Sequence, residues 1–272
     1  MRGFGVAVSI LVLGACHTGG VPADFMGDFE EPRVPPAAMR ATGGRGAEGE
    51  KREAGESAPK PWRAPEPVIG GLVARYRGHG VDLSGHERDA TIVGAVELVP
   101  DRFGIPRSAA WFDGAEGNFM IVSDHDLLPT GSAPRTVSAW FRTSASHPVA
   151  GGVVNWGEND LGKRFGLLVL EDTDYFVGQW ADLPGSRFVS DDRWHDMVTV
   201  FDGTTVSVYV DTVLSASGEI ALDTTRKELV IGRSPLDHHP EPFTGAIDDV
   251  RIYDRVLSAD ERAAIFAHGG WR

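Results

Sequence analysis

Few residues in this chain have the spacing that a catalytic reaction needs. Retaining glycoside hydrolysis uses two carboxylates about 5 Å apart. The nearest approach is Glu171-Asp172-Thr173-Asp174, which lacks an E-x-D-x-x-E spacing and is typical of a polar turn. No Gly-x-Ser-x-Gly sequence offers a serine nucleophile. His238-His239, beside Asp237 and Glu241, would bind zinc only weakly, since adjacent histidines in a Pro-containing loop are typically solvated. The sequence therefore predicts a protein that is not an enzyme.

Two tryptophans are candidates for ligand contact. Trp156 and Trp180 fall near the ends of predicted strands in the middle of the chain. A flat aromatic side chain offers a face on which a sugar ring can stack. The alternative for both residues is a place in the hydrophobic core. They are the predicted ligand-binding residues.

The charge balance excludes some partners. Asp and Glu number 39 against 26 Lys and Arg, which gives a formal net charge of −13. Nucleic-acid binding needs clustered Lys and Arg to neutralise phosphates, so we expect no nucleic-acid partner. Attraction to anionic lipid head groups is disfavoured for the same reason. Divalent cations are compatible with this surface.

The N-terminus has the layout of an export signal. Arg2 precedes an apolar run from Val6 to Leu13, which is too short to span a bilayer. Leu13-Gly14-Ala15-Cys16 resembles the bacterial lipobox, which implies cleavage of residues 1–15 and acylation of the Cys16 thiol, the single cysteine of the chain. A plain secretory signal is the alternative. In lipoproteins of enteric-type bacteria, Asp after the cysteine is typical of retention in the inner membrane. Here His17 follows, so for a Gram-negative source the resemblance implies an anchor at the outer membrane or cell surface rather than the inner membrane.

Residues 16–67 are predicted to form a disordered tether. Gly and Pro make up about a third of this segment, and it has no apolar periodicity. Val34-Pro35-Pro36 and Thr42-Gly43-Gly44 are examples. Random-coil scaling gives it a reach of roughly 40 Å. Such a tether would lift a folded domain off the membrane.

Residues 68–272 are predicted to form one all-β domain. Short β-rich runs alternate with turn signals throughout. The clearest hairpin is His195 to Asp211, in which Asp202-Gly203 supplies a tight turn. Ser258-Ala259-Asp260-Glu261 is a capping box that begins one short C-terminal helix. This pattern predicts a two-sheet antiparallel jelly-roll sandwich.

Four motifs resemble the laminin-G-like, concanavalin A-like family. They cover about Val68 to Phe266, and the last is the longest and most specific. The motifs are Leu83-Ser84-Gly85 to Thr91, Trp111-Phe112-Asp113-Gly114, Trp194-His195-Asp196-Met197-Val198 with Phe201-Asp202-Gly203, and Phe243 to Tyr253 followed by Val256-Leu257-Ser258 and Glu261.

The resemblance implies a candidate site for a structural Ca²⁺. In some relatives this ion joins the early loop to the last strand, and the matching positions are Asp82 and Asp248. Strand alternation places Asp249 on the opposite face, as a weaker third candidate. Arg77 stands where the family often has an aspartate. The alternative is that Asp248 only accepts backbone hydrogen bonds.

The function expected from these features is a lipid-anchored cell-envelope binding module. Its ligand would be a glycan or a cell-surface protein, and it would meet the membrane through the lipid alone. A structural or assembly protein without sugar binding is the main alternative. An atypical glycan hydrolase is the third.

Overall fold

The protein is described by a computed structural model that covers residues 68–123, 126–144, 147–236 and 238–268. These residues all lie in a single compact unit of the chain. The predicted signal peptide, Cys16 and the tether lie outside the described residues. In the part that is described, no helix has the length and apolar character to cross a membrane.

The described residues form fifteen strands and one helix. In chain order they are β1 (Leu72–Tyr76), β2 (Thr91–Val93), β3 (Glu97–Val99), β4 (Ala109–Asp113), β5 (Phe119–Val122), β6 (Arg135–Arg142), β7 (His147–Gly157), β8 (Arg164–Glu171), β9 (Thr173–Val177), β10 (Leu183–Phe188), β11 (Trp194–Phe201), β12 (Thr205–Val210), β13 (Val213–Glu219), β14 (Leu229–Ile231), β15 (Thr244–Tyr253) and α1 (Ala259–His268).

The strands form two antiparallel sheets. The eight-stranded sheet has the order β13-β12-β11-β6-β15-β4-β3, with β1 also paired to β15. The seven-stranded sheet has the order β10-β9-β8-β7-β14-β5-β2. Neighbours in space are distant in sequence, as in β6 beside β15, so the chain crosses repeatedly between the sheets. The predicted two-sheet sandwich with one C-terminal helix is confirmed.

The core lies between the two sheets and is built by alternation. On β12, Val206, Val208 and Val210 are fully buried, whereas Ser207 and Tyr209 between them are partly exposed. Side chains from both sheets join this cluster, including Phe141 and Phe165. Removing this apolar surface from water is the main stabilising contribution.

The predicted β11–β12 hairpin is confirmed, with a difference at its turn. Phe201 pairs with Val206, and the Asp202 N–H donates to the Thr205 carbonyl. Only Gly203 has a positive φ, of 105°. The Asp202 carboxylate instead accepts the N–H groups of Thr204 and Thr205. The aspartate therefore caps the turn, and the glycine supplies the left-handed residue.

The capping box of α1 is also confirmed. The Ser258 hydroxyl accepts the Glu261 N–H at 3.2 Å, and Glu261 Oε2 accepts the Ser258 N–H at 2.9 Å. Both ends of the motif are satisfied because they are three residues apart on the first turn.

Candidate functional site

Trp180 lies on a strained turn that presents its ring to solvent. The turn joins β9 to β10, and both Gln179 and Trp180 have left-handed backbones, with φ of 60° and 58°. The Trp180 side chain is 65% exposed. A left-handed conformation costs a bulky residue roughly 1–2 kcal/mol. Backbone strain at a residue with a large exposed aromatic ring is typical of functional sites.

The Trp180 ring borders a cleft of about 560 Å³. We call this the Trp180 cleft. Three chain segments form it: the β7–β8 loop, the β9–β10 turn and the stretch from the end of β13 to Asp223. Its lining residues are Leu161, Trp180, Ala181, Asp182, Glu219, Ile220, Ala221, Leu222 and Asp223.

Gly162 holds the three segments of the cleft together. Its N–H donates to the Gln179 carbonyl at 3.1 Å, and its carbonyl accepts the Asp223 N–H at 2.9 Å. Its φ is 69°, and a Cβ would lie 2.7 Å from the Ala221 carbonyl oxygen. Only glycine combines this φ with this approach. The cleft walls are therefore fixed by backbone hydrogen bonds.

The cleft combines an apolar surface with carboxylates. Leu161 is exposed beside Trp180, and Leu222 anchors the opposite wall in the core. Asp182 accepts the Gly178 N–H at 3.0 Å. Burial raises the pKa of Asp182, against hydrogen bonds from Gly178 and Tyr175 that lower it. Asp223 pairs with Lys163 at 2.7 Å. An aromatic face beside fixed hydrogen-bond acceptors suits a hydroxylated ligand.

The structure corrects the expectation for Trp156. Its side chain is 0% exposed, its ring stacks on Phe165 at 5.0 Å, and its Nε1–H donates to the Pro129 carbonyl. A ring with both faces in the core offers nothing to a ligand. The two tryptophans that the sequence grouped together thus lie in different environments, one buried and one exposed.

Asp82 organises the early loop. Its carboxylate accepts the backbone N–H groups of Arg75, Ser84 and Arg88. Burial alone would raise the pKa of Asp82, but the hydrogen bonds from Ser84, Arg88 and Arg75 lower it. Its oxygens are therefore engaged in shaping the loop.

A bulge in β15 brings Asp248 and Asp249 to the same side. The register of β15 against β6 shifts between Asp248 and Arg251, and Asp249 has a φ of 48°. The Arg102 guanidinium lies 3.8 Å from the carboxylate of each aspartate. Simple alternation, which placed Asp249 on the opposite face, fails here because the bulge adds a residue.

Arginines surround these two buried carboxylates. Arg77 contacts Asp248 at 3.1 Å and Asp101 at 2.6 Å. Asp249 is held by Arg75 and Arg251 at 2.8 and 2.6 Å. We call the set of Arg75, Arg77, Arg102, Arg251, Asp101, Asp248 and Asp249 the arginine–aspartate cluster.

The arginine–aspartate cluster does not fit calcium. Calcium takes six to eight oxygen ligands. Here guanidinium groups already occupy the carboxylates of Asp248 and Asp249, and backbone N–H groups occupy Asp82. Among the described residues, no group of three or more His, Cys, Asp or Glu side chains could hold a metal ion. The carboxylates of Asp82, Asp248 and Asp249 are thus engaged with arginine side chains and backbone N–H groups.

Two titratable groups lie on β11, within the Trp194-His195-Asp196 motif. Asp196 is fully buried, and this burial raises its pKa to about 7, although the Ser138 hydroxyl donates to it. His195 lies between Asp211 and Asp191, at 2.7 and 2.9 Å from its two ring nitrogens. The hydrogen bond to Asp211 raises the pKa of His195 against burial, and Asp191 adds to the rise.

We expect the domain to lose stability as the pH rises from 5 to 8. The folded state binds the Asp196 proton more tightly than the unfolded state does. The stability that this proton contributes is therefore lost as the pH rises from about 4 to about 7. The His195 contribution is complete below about 6.5 and is lost as the pH passes the folded pKa. Urea unfolding at each pH measures the free energy of unfolding. Each group should lower it by up to about 1.4 kcal/mol per pH unit in its range.

Variants separate the two groups. Asp196→Asn should flatten the profile between pH 5 and 7, and His195→Gln should flatten it above 6.5. Stability that rises with pH across this range in the unsubstituted protein would contradict the assignment.

The remaining sequence candidates have structural contacts. Asp174 is buried and accepts the Arg187 N–H and the Ser215 hydroxyl. Glu171 lies at the β8–β9 turn with a φ of 54°. His238 contacts Asn159 at 2.9 Å, and Glu241 pairs with the buried Arg164. Asp237 lies outside the described residues.

Sequence reasoning missed most of the Trp180 cleft. Leu161, Glu219 and Asp223 carry no motif and come from segments far apart in the chain. Gly162, an isolated glycine before β8, is the one residue whose type indicated a special backbone position in this region.

Comparison with known proteins places the chain among sandwich domains. Residues 113–261, more than half of the chain, match the family Laminin_G_3, described as the concanavalin A-like lectin/glucanases superfamily. No curated protein matches the chain in sequence.

Several solved structures share the fold. Domain 4 of an extracellular arabinanase from Geobacillus stearothermophilus has a TM-score of 0.57 at 20% identity, over 72% of this chain and 98% of that one. The binding domain of Paraclostridial Mosquitocidal Protein 1 has 0.58 at 16%, over 72% and 52%. The binding domain of botulinum neurotoxin DC has 0.60 at 12%, over 75% and 53%.

The present chain spans about half the length of these toxin domains. At such identities the likeness establishes the fold alone. The family match rests on sequence and covers the Trp180 cleft, from the β7–β8 loop to Asp223. This protein therefore belongs to the concanavalin A-like lectin/glucanases superfamily.

Proposed function

We propose that the protein is a non-catalytic binding module whose ligand is a carbohydrate held in the Trp180 cleft. The observation that carries this proposal is the solvent-exposed Trp180 ring on a left-handed backbone. A sugar ring would stack on the indole, and the fixed carboxylate of Asp182 would accept its hydroxyl groups.

Proteins of the same fold support this choice. The match to the arabinanase domain covers 98% of that domain, which was solved in complex with arabinotriose. The binding domain of botulinum neurotoxin DC was solved with rat synaptotagmin II, and type C depends on two ganglioside molecules for cell entry. Glycans and a protein are thus both ligands of proteins with this fold, and the arabinotriose complex is the one that supports a carbohydrate here.

A first test is a glycan array with the purified protein, in calcium and in EDTA. Equal binding in both is expected, because guanidinium groups already neutralise Asp248 and Asp249. Binding that disappears in EDTA would restore calcium as a ligand bridge. The absence of binding to any glycan would contradict the proposal.

Trp180→Gly should weaken glycan binding without unfolding the domain. Loss of the stacking surface should weaken binding at least about ten-fold, equivalent to roughly 1.4 kcal/mol. Glycine adopts a φ of 58° freely, so the free energy of unfolding should stay the same or rise by about 1 kcal/mol. Titration calorimetry and urea unfolding measure the two effects.

Phe188→Ala is the matched control for this variant. Phe188 is 58% exposed but borders a different cleft, beside Trp194 and His195. Its removal should leave glycan affinity unchanged. Equal losses in the two variants would place the binding surface elsewhere.

The carboxylates do not favour hydrolysis. Asp174 is engaged with Arg187 and Ser215, and Glu171 lies at a turn. A reducing-sugar release assay tests the remaining alternative of an atypical hydrolase, and we expect no release.

A structural or assembly role is the second candidate. Val213 and Leu214 at the start of β13 are about half exposed, as is Phe188 at the end of β10. Exposed apolar side chains at sheet edges suit a protein partner. Pull-down from the cell envelope would test this role if the glycan array is negative.

We further propose that Cys16 is acylated and that residues 16–67 tether the domain to the cell envelope. The support is the Leu13-Gly14-Ala15-Cys16 sequence. Cys16→Ala should move the protein from the detergent phase to the aqueous phase in detergent partitioning. A variant that partitions like the unsubstituted protein would contradict the anchor.

A further inference from the structure

We propose that the Trp180 cleft prefers a sugar that carries a free amino group over its neutral or acidic counterpart. This inference rests on the function proposed above and names its ligand class. The sugar ring would cover the indole, and its ammonium group would face the carboxylates of Glu219 and Asp223.

The charges that line the cleft all have the same sign. Asp182, Glu219 and Asp223 contribute three carboxylates, and no Lys, Arg or His side chain is among the lining residues. The whole chain adds to this field with a net charge of −13. An acidic sugar would therefore be repelled, while a cationic ligand would relieve the repulsion between the carboxylates.

The three carboxylates differ in how far they are already paired. Asp182 is half-buried and accepts the Gly178 N–H, so the protein uses it to fix the turn. Asp223 is held by Lys163 but its side chain remains 73% exposed. Glu219 is exposed at the end of β13, and within the described part of the chain its carboxylate makes no hydrogen bond or ion pair. Glu219 is thus the free acceptor that a ligand ammonium would meet.

The aromatic ring adds to the preference for a cation. An ammonium group near an indole face is attracted by the ring quadrupole. Trp180 and the carboxylates border the same cleft, so one amino sugar can use both. A neutral sugar would use the stacking surface but leave the negative charges unmatched.

The test compares oligosaccharides that differ only in charge. Titration calorimetry of the full chain would use the β-1,4-linked glucosamine tetramer, its N-acetylated form and an oligogalacturonate. At low salt the amino form should bind about three- to five-fold more tightly than the N-acetylated form, and the acidic form most weakly. In 1 M NaCl the amino advantage should disappear, because the charges are exposed and screened.

Glu219→Gln tests the residue assigned to the amine. It should remove most of the amino advantage and leave binding of the N-acetylated form unchanged. Glu97→Gln is the control, since Glu97 is also an exposed glutamate on a strand but does not line the cleft. Equal affinity for amino and neutral forms in low salt would overturn the inference.

Trp180→Gly separates failure of this inference from failure of the proposed function. Neutral binding that depends on Trp180, with no amino preference, would overturn only the charge selectivity. If Trp180→Gly binds the amino form as tightly as the unsubstituted protein does, the amine is bound at another surface and the inference is overturned. No binding of any of these three sugars would overturn the inference, whereas the proposed function would fall only if the glycan array were also negative.

Discussion

Replacing Asp249 with asparagine should lower the free energy of unfolding by about 3–5 kcal/mol. The Asp249 carboxylate is buried, and Arg75 and Arg251 hold it at 2.8 and 2.6 Å. Asparagine has nearly the same volume and tolerates the φ of 48° at this bulge. The decrease in the free energy of unfolding would therefore come from removal of the negative charge. Without it, the guanidinium groups of Arg75 and Arg251 lose their counter-ion.

Asp192→Asn is the matched control for Asp249→Asn. Asp192 also has a left-handed backbone, with a φ of 62°, and it lies 3.8 Å from Arg142. Its side chain is mostly exposed, so its removal should cost less than about 1 kcal/mol. Urea unfolding at pH 7 compares the two variants. Similar losses would show that the arginine–aspartate cluster contributes no more than a surface ion pair.

The sequence predicted those features that depend on near neighbours. The β11–β12 hairpin and the α1 cap were both found because their partners lie within a few residues. Ser258 and Glu261 satisfy each other across one helical turn. Val206, Val208 and Val210 follow the period of a strand with one buried face.

Features that depend on distant register could not be predicted. The bulge in β15 reverses the expected face of Asp249, and nothing local to Asp248-Asp249 signals it. Arg102 reaches both aspartates from the loop after β3, far away in the sequence. The arginine–aspartate cluster therefore exists only once the fold is formed.

Trp156 and Trp180 show the same limit for the candidate site. The sequence pattern predicts that both residues lie near strand ends, and it does not show which of them is buried. Trp156 is the last residue but one of β7 and faces the core, whereas Trp180 lies in a turn in which Gln179 and Trp180 both have positive φ. Gln-Trp is not a sequence that signals a left-handed turn, which favours Asn and Gly. The left-handed backbone at Gln179 and Trp180 therefore could not be predicted from the sequence pattern.

Replacing Arg135 with lysine should destabilise the domain by about 3 kcal/mol, although the charge is kept. Arg135 is completely buried, and burial lowers its pKa to about 10. Its guanidinium donates to the carbonyl groups of Ala133, Pro129, Thr130 and Gly131. A lysine ammonium is a single point and cannot span these four carbonyls, so at least two charged hydrogen bonds would be lost.

The position of Arg135 explains why so large an effect is expected for a conservative change. Its guanidinium lies between the rings of Phe165 and Phe201, at 5.2 and 5.4 Å. It thereby ties the loop before β6 to the core. Arg187→Lys is the control, because Arg187 is exposed on β10, and it should cost less than about 0.5 kcal/mol. Urea unfolding compares the two variants. If Arg135→Lys were as stable as Arg187→Lys, the loop carbonyls would not need the several N–H donors of the guanidinium.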